Sequence, residues 1–166
     1  MRGLRPPGLV MGIHPTSRGF GWVVFEDGLR PVDWGLAAAQ GDKNAVCLRR
    51  LERLLDRFRP EVLVLEASDP QRSRRARRIA QLCAAVTGAA DARGVETAVY
   101  SRADVRAAFT EVRAVTRRQI AEAVARHMEA FRHRLPKPRR PWESEDAGGA
   151  LFAAAAVVTT HVRQGG

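Results

Sequence analysis

Two spacings of apolar residues alternate along this chain. Leu9 to Ile13 is an unbroken apolar run, and Phe20 to Glu26 is a second. Runs of this length predict strands, and their continuity predicts burial on both faces of a sheet. Asp27-Gly28 is a hairpin turn signal, so Leu29 to Ala38 is read as a third strand and the three as an antiparallel meander. The period then changes. Cys47, Leu48, Leu51, Leu54, Leu55 and Phe58 recur at helical spacing, with charged residues between them, until Arg59-Pro60. Glu61 to Glu66 is a short, dense strand signal, read as parallel to the first strand. A long helix is expected from Gln71 to Arg93, with Ile79, Leu82, Cys83, Val86 and Ala90 on its apolar stripe and Gly94 as its stop. Val95 to Tyr100 is a fifth strand. Ser101 caps a short helix through Phe109, and Thr116 caps another with Ile120, Val124, Met128 and Phe131 inward. Arg132 to Arg140 reads as a basic, irregular linker, and a last, Ala-rich helix is expected from Ser144 or Asp146 to Val162.

The order β-β-β-α-β-α-β-α-α-α predicts an α/β fold. Its five-stranded mixed sheet has three antiparallel strands followed by two parallel ones, flanked by helices on both faces. A length of 166 residues suits a single domain over 1–166.

Charge narrows the class of partner. With 28 Lys+Arg against 18 Asp+Glu, the formal net charge is +10. Such an excess favours a polyanion, nucleic acid first and an anionic membrane second. Arg72, Arg74, Arg75, Arg77 and Arg78 begin six residues after Glu66. Arg74, Arg77 and Arg78 share a helix face with Gln81, suited to a nucleic-acid backbone. Arg18, Arg117 and Arg118 are further candidate phosphate contacts. Cys47 and Cys83 lie in apolar helical patterns and read as core residues of a reducing compartment. The basic start is not followed by a signal-peptide apolar region, and the longest apolar stretch, Ala150 to Val158, is too short to span a bilayer. The expectation is a cytoplasmic protein that does not enter membranes.

Candidate chemistry sits at strand tips. His14 and Glu66 both end apolar runs and are placed at the same end of neighbouring parallel strands, where α/β sheets put their sites. Glu143, Glu145 and Asp146 cluster at the start of the last helix. Carboxylates gathered without basic partners repel unless cations lie between them. Oxygen donors of this kind suit Mg²⁺ or Mn²⁺, and two such ions activate water for phosphodiester hydrolysis. Taken singly, Glu66 reads equally as a surface carboxylate, the acidic group as a helix N-terminal preference, and His14 as a hydrogen-bonded turn residue.

Taken together these features resemble a known family. Gly12-Ile13-His14-Pro15-Thr16-Ser17-Arg18 with Gly21 looks like the first motif of RuvC-type Holliday junction resolvases, in the RNase H-like (retroviral integrase-like) nuclease superfamily. Val62 to Glu66 is similar to the second motif, and Trp142 to Val158 takes the place of the last. The resemblance implies a structure-selective, two-metal endonuclease of DNA recombination and repair, usually a homodimer, acting on branched DNA. It implies His14, Glu66 and Asp146 as catalytic positions and His14, Glu66, Glu143 and Asp146 as metal ligands. Two positions depart from the pattern. His14 stands where the first motif carries Asp, and a last-motif Asp falls on Gly149 or Ala153, depending on alignment; alternatively Glu143 and Asp146 form the pair. Imidazole cannot bridge two ions as a carboxylate does, and it favours Mn²⁺ over Mg²⁺. The expectations are therefore a metal-shifted or one-metal nuclease with His14 as ligand or general base, or a catalytically degenerate relative that binds DNA without cleaving it.

Overall fold

A computed structural model of the protein describes residues 8–26, 29–137 and 148–165. The first three strands, β1 (Val10–Pro15), β2 (Gly19–Glu26) and β3 (Arg30–Ala38), form the antiparallel meander. Helix α1 (Lys43–Phe58) leads to β4 (Val62–Glu66), which pairs parallel to β1. Helix α2 (Arg74–Asp91) crosses back to β5 (Glu96–Tyr100), parallel to β4. Helices α3 (Arg102–Ala108), α4 (Arg117–His127) and α5 (Gly149–Arg163) follow, with short 3₁₀ turns at Thr110–Val112 and Glu129–Arg134. The sheet order is β3-β2-β1-β4-β5. This is the expected mixed sheet, with three antiparallel strands, two parallel ones and helices on both faces.

The elements end where local chemistry stops them. The Asp42 carboxylate accepts from the Ala45 N–H at the start of α1. Arg59, in the left-handed region at φ 46°, returns its N–H to the Leu55 carbonyl, and Pro60 cannot continue the helix. Ser101 with Asp104, and Thr116 with Gln119, form two complete capping boxes. The chain-starting position of α5 expected at Ser144 or Asp146 lies outside the described residues. So do the acidic cluster Glu143, Glu145 and Asp146, Trp142, and the Asp27-Gly28 turn.

Alternation along the strands divides the core in two. Met11, Ile13, Val24, Leu63 and Leu65 face α1 and α2, where Cys47, Leu51, Leu55, Leu82 and Val86 close over them. Val23, Phe25 and Val64 face α3, α4 and α5. There Phe131 is central, edge-on to Trp34 at 4.9 Å, to Phe25 at 6.1 Å and to Phe152 at 6.4 Å. Trp22 packs on Phe58 on the other face. Both tryptophans are packing residues.

Helix α5 lies directly on the sheet because two glycines admit it. A Cβ on Gly12 would stand 2.4 Å from the Val158 Cγ2 and 2.7 Å from the Ala154 carbonyl oxygen. One on Gly21 would stand 2.4 Å from the Ala150 carbonyl carbon. The first turn of α5 is thereby set against Gly21, which is the strand partner of His14. Among the described residues no helix is long and apolar enough to cross a membrane.

Candidate functional site

His14 and Glu66 are brought to one level of the sheet. In the parallel β1–β4 ladder Val10 faces Val62 and Gly12 faces Val64. Continuing that register by one pleat sets His14 beside Glu66, the last residue of β4. Both belong to the face covered by α5, since Gly12 and Val64 do. His14 lies within β1, paired with Gly21, rather than at the strand's tip as the end of the apolar run suggested. Strand pairing thus extends through Pro15, and the ring is held over the sheet instead of at a loop tip.

The partner of Glu66 is an arginine. The Arg117 Nη2 donates to the Glu66 Oε1 at 3.4 Å. The Glu66 side chain is only 9% exposed, that of Arg117 49%. Arg117 is the first residue of α4, and the Thr116 capping box fixes where its side chain departs. Arg102 is the first residue of α3, directly after the end of β5, and is half-buried. Tyr100 pairs with Glu66 across β4 and β5, so Arg102 leaves the sheet at the level of the carboxylate.

Among the described residues, the charge acting on His14 is positive. His14 is pushed down from its ordinary 6.5 to about 3, first by burial and then by the charges of Arg117, Arg102 and Arg75. It is therefore a neutral imidazole at physiological pH. Burial also lowers Arg102, with Arg117 pushing the same way, Glu66 opposing and Arg106 adding to the fall. Among the described residues, Arg117 and Glu66 thus act on Arg102, and Arg117, Arg102 and Arg75 act on His14, at the carboxyl ends of β1, β4 and β5.

The other candidates divide between solvent and scaffold. Arg18 is exposed on the β1–β2 turn, and Arg72, Arg74, Arg75 and Arg77 are exposed around the start of α2. Arg78 is turned inward. Its Nη2 donates to the Thr16 carbonyl at 3.2 Å and its Nη1 to the Asn44 side chain at 3.3 Å. The Lys43 Nζ donates to the Ser17 carbonyl at 2.6 Å, so α1 and α2 both clamp the turn that carries Arg18. Arg118 points away from Glu66 and bonds Glu122 and the Pro136 carbonyl. The shared face drawn through Arg74, Arg77 and Arg78 therefore ends, in solvent, at Arg77. Spacing alone does not reveal that the Asn44 amide and the Thr16 carbonyl wait beside Arg78.

Arg102 is the site residue that sequence reasoning passed over. Its signal is a Ser cap immediately after a strand, which places the next side chain at the strand's tip.

Among the described residues, the donors do not by themselves make up a site for a pair of divalent cations. Among the described residues no group of three or more His, Cys, Asp or Glu side chains is placed to hold a metal ion. Glu66 already meets a guanidinium, and Arg117 and Arg102 would repel a dication. Gly149, at the first turn of α5, carries no donor, and its Cβ direction is open. Ala153, one turn on, carries none either. Glu143 and Asp146 lie outside the described residues.

No protein-family model matches the sequence, and no curated protein does. Solved structures do. Thermus thermophilus RuvC in complex with a Holliday junction substrate superposes with a TM-score of 0.69 at 22% identity, over 95% of this chain and 96% of that one. A further Thermus thermophilus RuvC structure gives 0.68 at 23% identity with the same coverage. The yeast mitochondrial Holliday junction resolvase gives 0.61 at 12% identity, over 98% of this chain and 82% of that one. This chain has the RuvC-type, RNase H-like fold.

Proposed function

We propose that this chain binds branched DNA on a RuvC-type scaffold and does not hydrolyse it through a pair of divalent ions. The observation that carries the reading is the Arg117–Glu66 ion pair, which acts on Arg102, and a neutral His14 that feels Arg117, Arg102 and Arg75. A metal-dependent phosphodiesterase gathers carboxylates so that dications are held where phosphate arrives. Among the described residues, the strand tips here gather guanidinium groups, which attract phosphate directly. The exposed Arg18, Arg72, Arg74 and Arg77 extend that positive surface past the site, and the formal charge of +10 supplies the long-range attraction. The junction-bound Thermus thermophilus RuvC supports branched DNA as the shape bound. The Mg²⁺- or Mn²⁺-dependent cleavage implied by motif resemblance is the competing reading.

A synthetic four-way junction tests it. Binding in EDTA should be tight at low salt and fall steeply as salt rises. Mg²⁺ and Mn²⁺, tried separately, should yield no nicked strand. Replacing Arg74 and Arg77 with Gln should weaken binding of unrelated junction sequences alike and flatten the salt dependence by about two phosphate contacts. Strand scission with either ion overturns the reading, as does an absence of binding at low salt.

A further inference from the structure

We propose that the β1–β2 turn, Thr16 to Gly19, is a phosphate grip: the Ser17 N–H and the Arg18 guanidinium take one DNA phosphodiester, and Lys43 and Arg78 are the positioning residues that aim them. The inference rests on the DNA-binding reading above and gives Arg78 a part in binding without contact to DNA.

Every carbonyl of the turn is tied back to the protein. The Thr16 carbonyl accepts from the Arg78 Nη2 at 3.2 Å and the Ser17 carbonyl from the Lys43 Nζ at 2.6 Å. The Arg18 carbonyl accepts from the Ala39 N–H and the Gly19 carbonyl from the Thr16 N–H, both at 2.8 Å. Among the described residues every peptide bond is trans, and a trans peptide sets its N–H opposite its C=O. The Ser17 N–H shares a peptide with the Thr16 carbonyl, so it points away from Arg78 and α2. The Arg18 N–H shares one with the Ser17 carbonyl and points away from Lys43, where the Thr16 Oγ1 takes it at 3.2 Å. Among the described residues the Ser17 N–H meets no acceptor. Ser17 is half-buried and Arg18 exposed, so an amide donor and a guanidinium stand on adjacent residues of one turn. Backbone N–H and guanidinium groups are the donors that phosphate oxygens accept from.

The clamp behind the turn is itself oriented. The Asn44 Nδ2 donates to the Arg78 carbonyl at 3.1 Å, and its Oδ1 accepts from the Arg78 Nη1 at 3.3 Å. Lys43 and Asn44 are the first two residues of α1, whose start Asp42 caps. A cation on a carbonyl oxygen polarises that peptide and strengthens its N–H as a donor. Arg78 therefore acts on phosphate through the Thr16–Ser17 peptide. Lys43 holds the next carbonyl, and with it the direction in which Arg18 leaves the turn.

The test uses the full chain, a synthetic four-way junction and EDTA throughout. Arg18→Gln should weaken binding about three- to tenfold and flatten the salt dependence by about one phosphate contact. Arg78→Met and Lys43→Met should each weaken binding about twofold, and the Arg18→Gln loss should shrink in either background. Arg78→Lys keeps a donor for the Thr16 carbonyl and should restore most of the binding. Diethyl phosphate, a diester without bases, supplies a readout without DNA: it should shift the Ser17 amide resonance downfield, and less so in Arg78→Met. Unchanged junction binding by Arg18→Gln, or a Ser17 amide that diethyl phosphate leaves in place, overturns the inference, while junction binding by the wild type keeps the DNA-binding reading standing. An Arg78→Met loss of equal size with and without Arg18→Gln shows general damage and overturns the positioning role. A Ser17 shift with diethyl phosphate and no junction binding by the wild type keeps the grip and rejects the DNA.

Discussion

The neutral His14 makes the stability of this protein fall in mild acid, and the size of the fall can be worked from the site. An unfolded chain protonates His14 near 6.5, whereas the native protein holds it unprotonated down to about 3. Between those two values the unfolded state binds the extra proton. Stability is therefore intact above about pH 6.5 and is lost as the pH falls toward 3. For one group, moving from pH 7 to pH 5 removes about 2 kcal/mol. In a chain of this size that corresponds to a drop of about 4–8 °C in Tm. The groups acting on the imidazole are Arg117 at the start of α4, Arg102 at the start of α3 and Arg75 in α2. Burial is the largest cause, so added salt should reduce the effect only in part. The assay is thermal unfolding of the wild type and His14→Gln at pH 7 and pH 5. Glutamine keeps a polar side chain and cannot titrate, so its Tm should fall by about 4–8 °C less. His161, which burial also pushes down, is present in both proteins and cancels. Equal losses of Tm in the two would show that His14 protonates alike in native and unfolded chains, and would refute the cationic, water-poor surroundings assigned to it.

Two other substitutions test what holds the site in place. Gly21→Ala should destabilise by about 1–3 kcal/mol, because the new Cβ meets the Ala150 backbone at 2.4 Å, whereas Gly149→Ala meets open space and should be neutral or slightly stabilising in thermal unfolding. Arg78→Ala should cost about 1–2 kcal/mol in denaturant unfolding through its lost bonds to Thr16 and Asn44, and junction binding should weaken less than for Arg74→Gln, since Arg78 supports the turn from inside.

Most of the architecture was legible in the order of residues. The unbroken apolar runs marked strands covered on both faces, and the heptad-like spacing of Leu48, Leu51, Leu54, Leu55 and Phe58 marked a helix. Ser101 and Thr116 announced the caps that the structure forms. These are local properties: a period or a cap is set by residues a few positions apart, whatever the rest of the chain does. The departure of His14 from the resolvase motif was visible for the same reason.

What chemistry surrounds Glu66 was not local. A strand ending in Glu is compatible with a metal ligand, a surface carboxylate or half of an ion pair. That it meets an arginine depends on the 51-residue separation that the fold closes to bring Arg117 to it. The same limit applied to the arginines. Spacing placed Arg74, Arg77 and Arg78 together, but only the packing of α2 against α1 and the β1–β2 turn turned Arg78 inward. Sequence by itself determined the sheet, the helices, the basic character and the altered motif, because these depend on periodicity and residue type. Tertiary structure decided that Glu66 is covered and meets Arg117, with Arg102 acted on by both, because the field at a residue depends on which distant charges the fold brings within a few ångströms of it.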